Sequence, residues 1–331
     1  VGAIQAVVAH PSNPNIIYAG AVNGGVWRTA NGASASPTWT PLTDTNGSLS
    51  ISSLNLDPTD SSFNTLVAGI GRFSSLGSEG GAQIGILRTT DGGNTWVQPS
   101  ATGLPVGDVT GVISRGNTIV VSIGSLRLRG VFRSTDAGAT FQTVNDPIMT
   151  ASVGIVRTLA GNPTNSAIIY AGKYGAAAGT NGIFMSSDTG ATWSKISNQA
   201  MDTLLGASAP FSGNIKIAAS PAGALYVGIV TNSVLGGVFR SPDNGTTWTT
   251  MDLPTTVETG SGSPVTVGIH PGQQGDIHFA LVADPSNPNL VYISGDSQPD
   301  SGSPNQTNLF PNSIGANDYS GRAFRGDASK P

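Results

Sequence analysis

The chain has 331 residues, of which 45 are glycine and only 10% are charged, with a formal net charge of -4 and no cysteine. Its length is enough to bury roughly three quarters of the unfolded surface, and the Gly-rich, charge-poor composition fits many short strands joined by turns and argues against helical bundles and coiled coils. The acidic balance gives nucleic acid no basic footprint, disulfide and thiolate chemistry are excluded, and no apolar run is long enough for membrane insertion.

Taken in order, the chain repeats itself. A first unit, about residues 3–42, reads as a strand at 4–9, a turn through His10-Pro11-Ser12-Asn13-Pro14-Asn15, a second strand at 16–20 and a third at 26–29, before Thr38-Trp39 opens a fourth. A second unit, about 50–99, turns at Asp57-Pro58-Thr59-Asp60. A third spans about 108–144, and a fourth, about 154–196, turns at Asn162-Pro163-Thr164-Asn165. The fifth, about 214–251, turns at Ser220-Pro221-Ala222-Gly223. The sixth, about 277–331, opens with a strand at 277–282 and nearly copies the first turn as Asp284-Pro285-Ser286-Asn287-Pro288-Asn289. It continues through a strand at 290–294, a long polar segment to about Tyr319, and a third strand at 321–325. Four strands per repeat is the content of one propeller blade, so the sequence predicts an all-β fold, a single β-propeller domain over residues 1–331. A sixth unit without its fourth strand leaves an edge that a closed propeller would not tolerate. Together with a start at Val1 and no signal-peptide pattern, this predicts a piece of a longer polypeptide or assembly, with up to seven blades.

One motif punctuates the repeats. Ser186-Ser187-Asp188-Thr189-Gly190-Ala191-Thr192-Trp193 has counterparts from Thr89 to Trp96, from Ser134 to Phe141 and from Ser241 to Trp248. Each follows a short apolar segment, so each reads as a hairpin. Asp91, Asp136, Asp188 and Asp243 accept backbone N–H groups in the turn, the glycine two places on takes a positive φ, and Trp96, Phe141, Trp193 and Trp248 tie the turn to the core. In the first unit Asn31 replaces the aspartate. The pattern resembles the Asp-box, or BNR, repeat of sialidases, sortilin-type receptors, photosystem assembly factors and xyloglucan hydrolases. The resemblance implies a propeller with these turns at the blade periphery, away from the functional face.

In such a blade the loops after strand two and between blades share the opposite face, where propellers usually carry function. The candidate ligand-binding residues there are Arg72, Arg127, Arg129, Lys173, Tyr174, Asp296 and Asp318, with Glu79, Asp300 and Tyr319 beside them. Gly/Ser-rich loops with a few charges also fit plain solvation. Asp296, Asp300 and Asp318 could supply oxygen ligands to calcium, although their spacing matches no EF-hand. His10, His270 and His278 lack metal-ligand spacing.

Sialidase chemistry needs an arginine cluster and a Tyr-Glu pair, but Arg28, Arg88, Arg133 and Arg240 recur at one repeat position, which makes them structural, and Glu occurs only at Glu79 and Glu258. The resemblance to xyloglucan hydrolases is closest around residues 18–28, where that family has a catalytic aspartate just before a Gly-Gly pair. Here Asn23 precedes Gly24-Gly25, and inverting hydrolysis with one of its two carboxylates missing should fail. No catalytic residue is assigned. The sequence therefore reads as a non-catalytic binding or scaffold module of a larger secreted or cell-surface bacterial protein, recognising a glycan or protein through those loops. The alternatives are a glycoside hydrolase with catalytic residues partly outside this chain and a structural repeat unit of an extracellular assembly.

Overall fold

The computed structural model describes residues 3–330 apart from 73–78, 125–128, 145, 147–148, 150–153, 176–179, 208–212, 259–263 and 297–321. The chain divides into two compact units. The first contains Val1–Gly161, Asn165–Ile169 and Ser186–Ser194; the second contains Asn162–Thr164, Tyr170–Met185 and Lys195–Pro331.

In the first unit, blade one is an antiparallel sheet of β1 (Ile4–Ala9), β2 (Ile17–Ala21), β3 (Gly25–Thr29) and β4 (Thr40–Pro41), in that order. Blade two is β5 (Ile51–Leu56), β6 (Leu66–Ile70) and β7 (Ile86–Thr89), and its fourth position is a single bridge between Arg88 and Val97. Blade three is β8 (Val109–Arg115), β9 (Thr118–Gly124), β10 (Arg129–Ser134) and β11 (Gln142–Thr143). A fourth sheet takes β12 (Ile155–Gly161), β13 (Ile169–Tyr174), β14 (Gly182–Ser186) and β15 (Ser194–Lys195).

Helix α1 (Gln199–Ala207) follows. In the second unit come blade five, with β16 (Asn214–Ala219), β17 (Leu225–Thr231), β18 (Val234–Ser241) and β19 (Thr249–Met251), then a ribbon of β20 (Thr256–Glu258) and β21 (Val265–Val267). Blade six is β22 (Ala280–Ala283), β23 (Leu290–Ser294) and β24 (Ala323–Asp327). The fold class is all-β, six sheets of the propeller type. Helix α1 and the β20–β21 ribbon depart from the sequence expectation, and β22 and β24 begin two or three residues later than the repeat predicted. Arg325, Gly326 and Asp327 form the end of β24 and pair with β23.

Second strands are the most apolar because they face neighbours on both sides. Every residue of β6 is buried, as a strand covered on two faces requires. Blades one and two share a core in which Tyr18 and Val26 of one meet Leu54, Leu66, Ala68 and Leu87 of the other. A second core joins Val67 and Ile86 to Val109, Val112 and Val121 of blade three, and in the second unit Tyr226 and Val238 pack with Phe279, Val291 and Ile293.

The four aspartate turns have one geometry. In blade two, Asp91 Oδ1 accepts from the Thr95 N–H at 2.9 Å and from the Thr89 hydroxyl at 2.7 Å, while Asp91 Oδ2 accepts from the Thr95 hydroxyl at 2.7 Å. Asp136, Asp188 and Asp243 repeat these bonds with Thr140, Thr192 and Thr247. Two consecutive residues take positive φ in each turn: Gly92 and Gly93, Ala137 and Gly138, Thr189 and Gly190, Asn244 and Gly245. The sequence showed only the second of each pair, because Ala and Thr pay a steric penalty in that region. At the turn's end Phe141 and Trp193 are buried, while Trp96 and Trp248 are half-buried.

Candidate functional site

The β2–β3 hairpin reverses at Asn23 and Gly25, both with positive φ (61° and 72°). Only glycine fits at Gly25, since a Cβ there would collide with the Thr43 hydroxyl. That hydroxyl accepts the Val26 N–H at 2.8 Å, and the Gly25 N–H goes to Leu49 O at 2.8 Å. The backbone thus holds Asn23 at the blade end, where its amide makes one hydrogen bond through each of its two polar atoms. Its Oδ1 accepts from the Ser50 hydroxyl at 2.6 Å, and its Nδ2 donates to the Glu79 carbonyl at 3.2 Å. Ser50 Oγ in turn accepts the Gly81 N–H at 2.8 Å.

The same end of the first unit carries Arg72. Its backbone N–H donates to Asp108 Oδ1 at 3.0 Å, and its guanidinium Nε lies 3.6 Å from that oxygen. Arg72 is half-buried, and its Nε is a buried donor without a hydrogen-bond partner among the described residues. Arg129 starts β10, opposite Gly124, and is half-buried. Asn23, Arg72, Glu79 and Arg129 thus lie in or beside the connections between second and third strands of blades one to three.

The other candidates sit differently. Lys173 and Tyr174 are in β13, not in the following loop, and both are 1% exposed. Their side chains point into packed surroundings because β13, like β6, is covered on both faces. Asp296 is also buried. Its Oδ2 accepts the Gln274 N–H at 2.9 Å and its Oδ1 the Gly272 N–H at 3.3 Å, so it closes the loop before β22. Burial pushes its carboxyl up, and those two N–H groups pull it back. Nearby, His270 Nε2 lies 2.9 Å from the His278 carbonyl, and burial lowers the His270 imidazole. Since a carbonyl oxygen only accepts, His270 Nε2 is the donor in that contact. Arg127, Asp318, Asp300 and Tyr319 lie outside the described residues. Among the described residues no three acidic or histidine side chains gather as a cation site.

A feature the sequence reading missed lies on the flank of blade one. An apolar groove of about 820 Å³ is walled by Val7, Ile17, Ala19, Trp27 and Trp39, with Asn23 and Asp44 as polar edges. Val7 is 63% and Trp39 40% exposed. Trp27, at the repeat position of the buried Leu87, is half-buried and donates its indole N–H to Gly24 O at 2.6 Å. The signal was present in the repeat, because Trp27 and Trp39 align with Leu87 and Trp96.

These sheets and turns define a β-propeller, and known structures share the fold. The chain is similar to an ancestral GH74 enzyme, with 18% identity and a TM-score of 0.58 over 90% of this chain and 35% of that one. It is also similar to the GH74 xyloglucanase from Xanthomonas campestris, with 17% identity and a TM-score of 0.60 over 99% of this chain and 44% of that one. The chain spans less than half the length of these enzymes, and at such identities the likeness is one of fold. No family model and no curated protein matches it.

Proposed function

We propose that this chain is a non-catalytic binding and scaffold propeller module of a larger secreted or cell-surface bacterial protein, and that its four aspartate turns are Asp-boxes. The observation that carries the reading is the exposed apolar groove of blade one, rimmed by Trp27 and Trp39. Exposed apolar surface of this kind marks a protein-interaction site or a ligand-binding groove, and the partner proposed for it is a protein or a glycan. Supporting it, the residue before Gly24-Gly25 is an amide, Asn23, which cannot serve as the carboxylic acid or carboxylate that glycoside hydrolysis requires.

The second reading, a glycoside hydrolase, is favoured by the fold shared with two GH74 proteins. The test is a hydrolysis panel on the purified chain with xyloglucan, its oligosaccharides and fluorogenic sialosides. The module reading expects no sugar release above buffer. Release that co-purifies with the chain through a second column, and is lost on substituting Asp44 or Glu79, establishes the enzyme instead.

A further inference from the structure

Successive blades are joined by a recurring clamp, in which an arginine of strand three reaches a turn of the next blade. In the first unit Tyr18 and Arg28 both donate to the Gly92 carbonyl, at 3.1 and 2.8 Å, and Arg133 donates to the Thr189 carbonyl at 2.9 Å and to its hydroxyl at 3.1 Å. In the second, the Tyr226 hydroxyl and Arg240 Nε donate to the Pro288 carbonyl at 2.8 and 3.2 Å, and Arg240 Nη2 donates to Asn289 Oδ1 at 2.8 Å. Arg88 holds the same repeat position in blade two, opposite Val67. The matching acceptor is Ala137, which follows Asp136 as Gly92 follows Asp91 and Thr189 follows Asp188. This clamp is open. Arg88 is half-buried, its side chain makes no hydrogen bond among the described residues, and its Nε is a buried donor without a partner there. The missing tyrosine is not the reason, since Arg133 also faces a valine, Val120, and still closes.

A cavity of about 250 Å³ occupies this place, lined by Arg88, Thr90, Thr95, Val97, Ser100 and Asp136 together with Ala137. All of these belong to the first unit. The aspartate turn of blade two forms one wall. The other is the chain between blades two and three, which is tied to the aspartate turn of blade three: the Ala101 N–H donates to Gly138 O at 3.1 Å, the Thr102 N–H to Ala139 O at 3.0 Å, and the Phe141 N–H to Thr102 O at 2.7 Å. The cavity is therefore held open by backbone pairing on both sides.

The lining selects a chemistry. The Thr95 and Ser100 hydroxyls spend their protons on Asp91 Oδ2 and the Ala139 carbonyl, at 2.7 and 2.9 Å, so their oxygens are left to accept. Asp136 Oδ2 takes one bond, from the Thr140 hydroxyl at 2.6 Å, and has a second lone pair to offer. The donors are Arg88 and the Thr90 hydroxyl, which makes no hydrogen bond among the described residues. An anion brings only acceptors and would meet the Asp136 carboxylate, which the Thr140 hydroxyl and N–H hold down to about 2 and hence ionised at neutral pH. An ammonium brings only donors and would meet Arg88. A peptide group has one donor and one acceptor, too few for this set. Sugar hydroxyls donate and accept at every oxygen, and the C–H face of the ring can rest on Val97, which is 63% exposed. The volume is small beside the roughly 300–1,000 Å³ of drug-sized sites, which suits a single ring. We infer that the cavity between the aspartate turns of blades two and three binds one neutral sugar ring, with Arg88 donating to a sugar hydroxyl where the other arginines meet a turn of the next blade. The site stands apart from the blade-one groove and from the loops after strand two.

Saturation-transfer NMR on the intact chain tests this, with the methyl glycosides of glucose, galactose, mannose and xylose as probes and the matching free sugars beside them. At least one should bind with a Kd on the order of 1 mM, as a handful of hydrogen bonds to one ring gives. Preference for the methyl glycosides identifies the end of a sugar chain as the ligand, and preference for the free sugars a soluble monosaccharide. Arg88→Met keeps the stem, removes the guanidinium and should weaken binding at least about 10-fold, the loss of a hydrogen bond from a charged donor. Thr90→Val, at an exposed position, should weaken it by a smaller factor, and matched melting curves check that both variants fold. Absence of saturation transfer to every sugar at about 10 mM, ten times the expected Kd, overturns the inference. So does sugar binding that both variants leave unchanged, or binding of inorganic phosphate or of N-acetylglycine N-methylamide in place of the sugars. Each of these failures leaves the module reading of the blade-one groove as it stands.

Discussion

Val109, the first residue of β8, occupies the space into which a side chain on Gly69 of β6 would project. The same relation joins Ile51 to Gly20 in this unit and Phe279 to Gly228 in the other. Glycine on strand two is therefore a socket, and the start of the next blade supplies the knob. Gly69→Ala puts a methyl group into a core where Val67, Ile86 and Val109 are fully buried. Overpacking of that kind typically costs about 1–3 kcal/mol. The melting temperature of Gly69→Ala should fall accordingly, while Gly175→Ala, where a Cβ meets nothing within 4 Å but φ is 75°, reports backbone strain alone. A Gly69→Ala protein as stable as wild type would remove the socket account.

The clamp at Tyr226 predicts a polar counterpart to this steric lock. Tyr226→Phe keeps the ring in its buried position and deletes only the hydroxyl that donates to Pro288 O. Arg240 Nε still reaches that carbonyl at 3.2 Å, so the acceptor is not stranded, and the loss should stay near about 1 kcal/mol. Tyr226→Phe with Arg240→Ala strands it and should cost more than the sum of the two single changes. Thermal unfolding of the four proteins in the cycle measures that coupling.

Much of this was legible in the sequence because repetition does the work of alignment inside one chain. The aspartate turns, the strand order and the structural role of Arg28, Arg133 and Arg240 follow from spacing and residue type. What escaped has local physical reasons. Helix α1 announces itself only through Asn198, which caps Met201 at 3.1 Å, and through buried Met201 and Leu205 one turn apart, a signal too short to stand out among strands. Lys173 and Tyr174 read as loop residues because they are polar and followed by Gly175, yet the strand carries them into the interior. The groove escaped because Trp27 and Trp39 have the composition of a core; exposure is a property of what covers them.

The aspartate turns carry a pH signature. The side-chain hydrogen bond from Thr95, with the Thr95 N–H, holds the Asp91 carboxyl down to about 2, and Thr140 does the same for Asp136. A carboxyl depressed in the folded state contributes stability that is fully present above its unfolded value and is lost as pH falls through the folded one. The melting temperature should therefore be flat with respect to these groups above about pH 5 and decline between about pH 4 and 2. Asp91→Asn with Asp136→Asn should show a shallower acid decline than wild type; an unchanged slope would mean that these turns do not control it.

Asn23→Asp tests the enzymatic alternative at its most exposed point. The substitution introduces a carboxylate before Gly24-Gly25, and the Ser50 hydroxyl, 2.6 Å from Asn23 Oδ1, is placed to donate to it. The carbonyl of Glu79 loses the Nδ2 donor, but that loop is exposed, so water replaces the bond and the stability change should stay within about 1 kcal/mol. Hydrolysis needs a second carboxylate set across the glycosidic bond. At this end of the first unit Asp108 is held by Arg72, and Glu79 lies in an exposed loop. Asn23→Asp should therefore fold and remain inert toward xyloglucan oligosaccharides. If reducing ends appear with this variant and not with the wild-type chain, a second acid is already in place, and the loops around Glu79 must be reassigned from binding to catalysis.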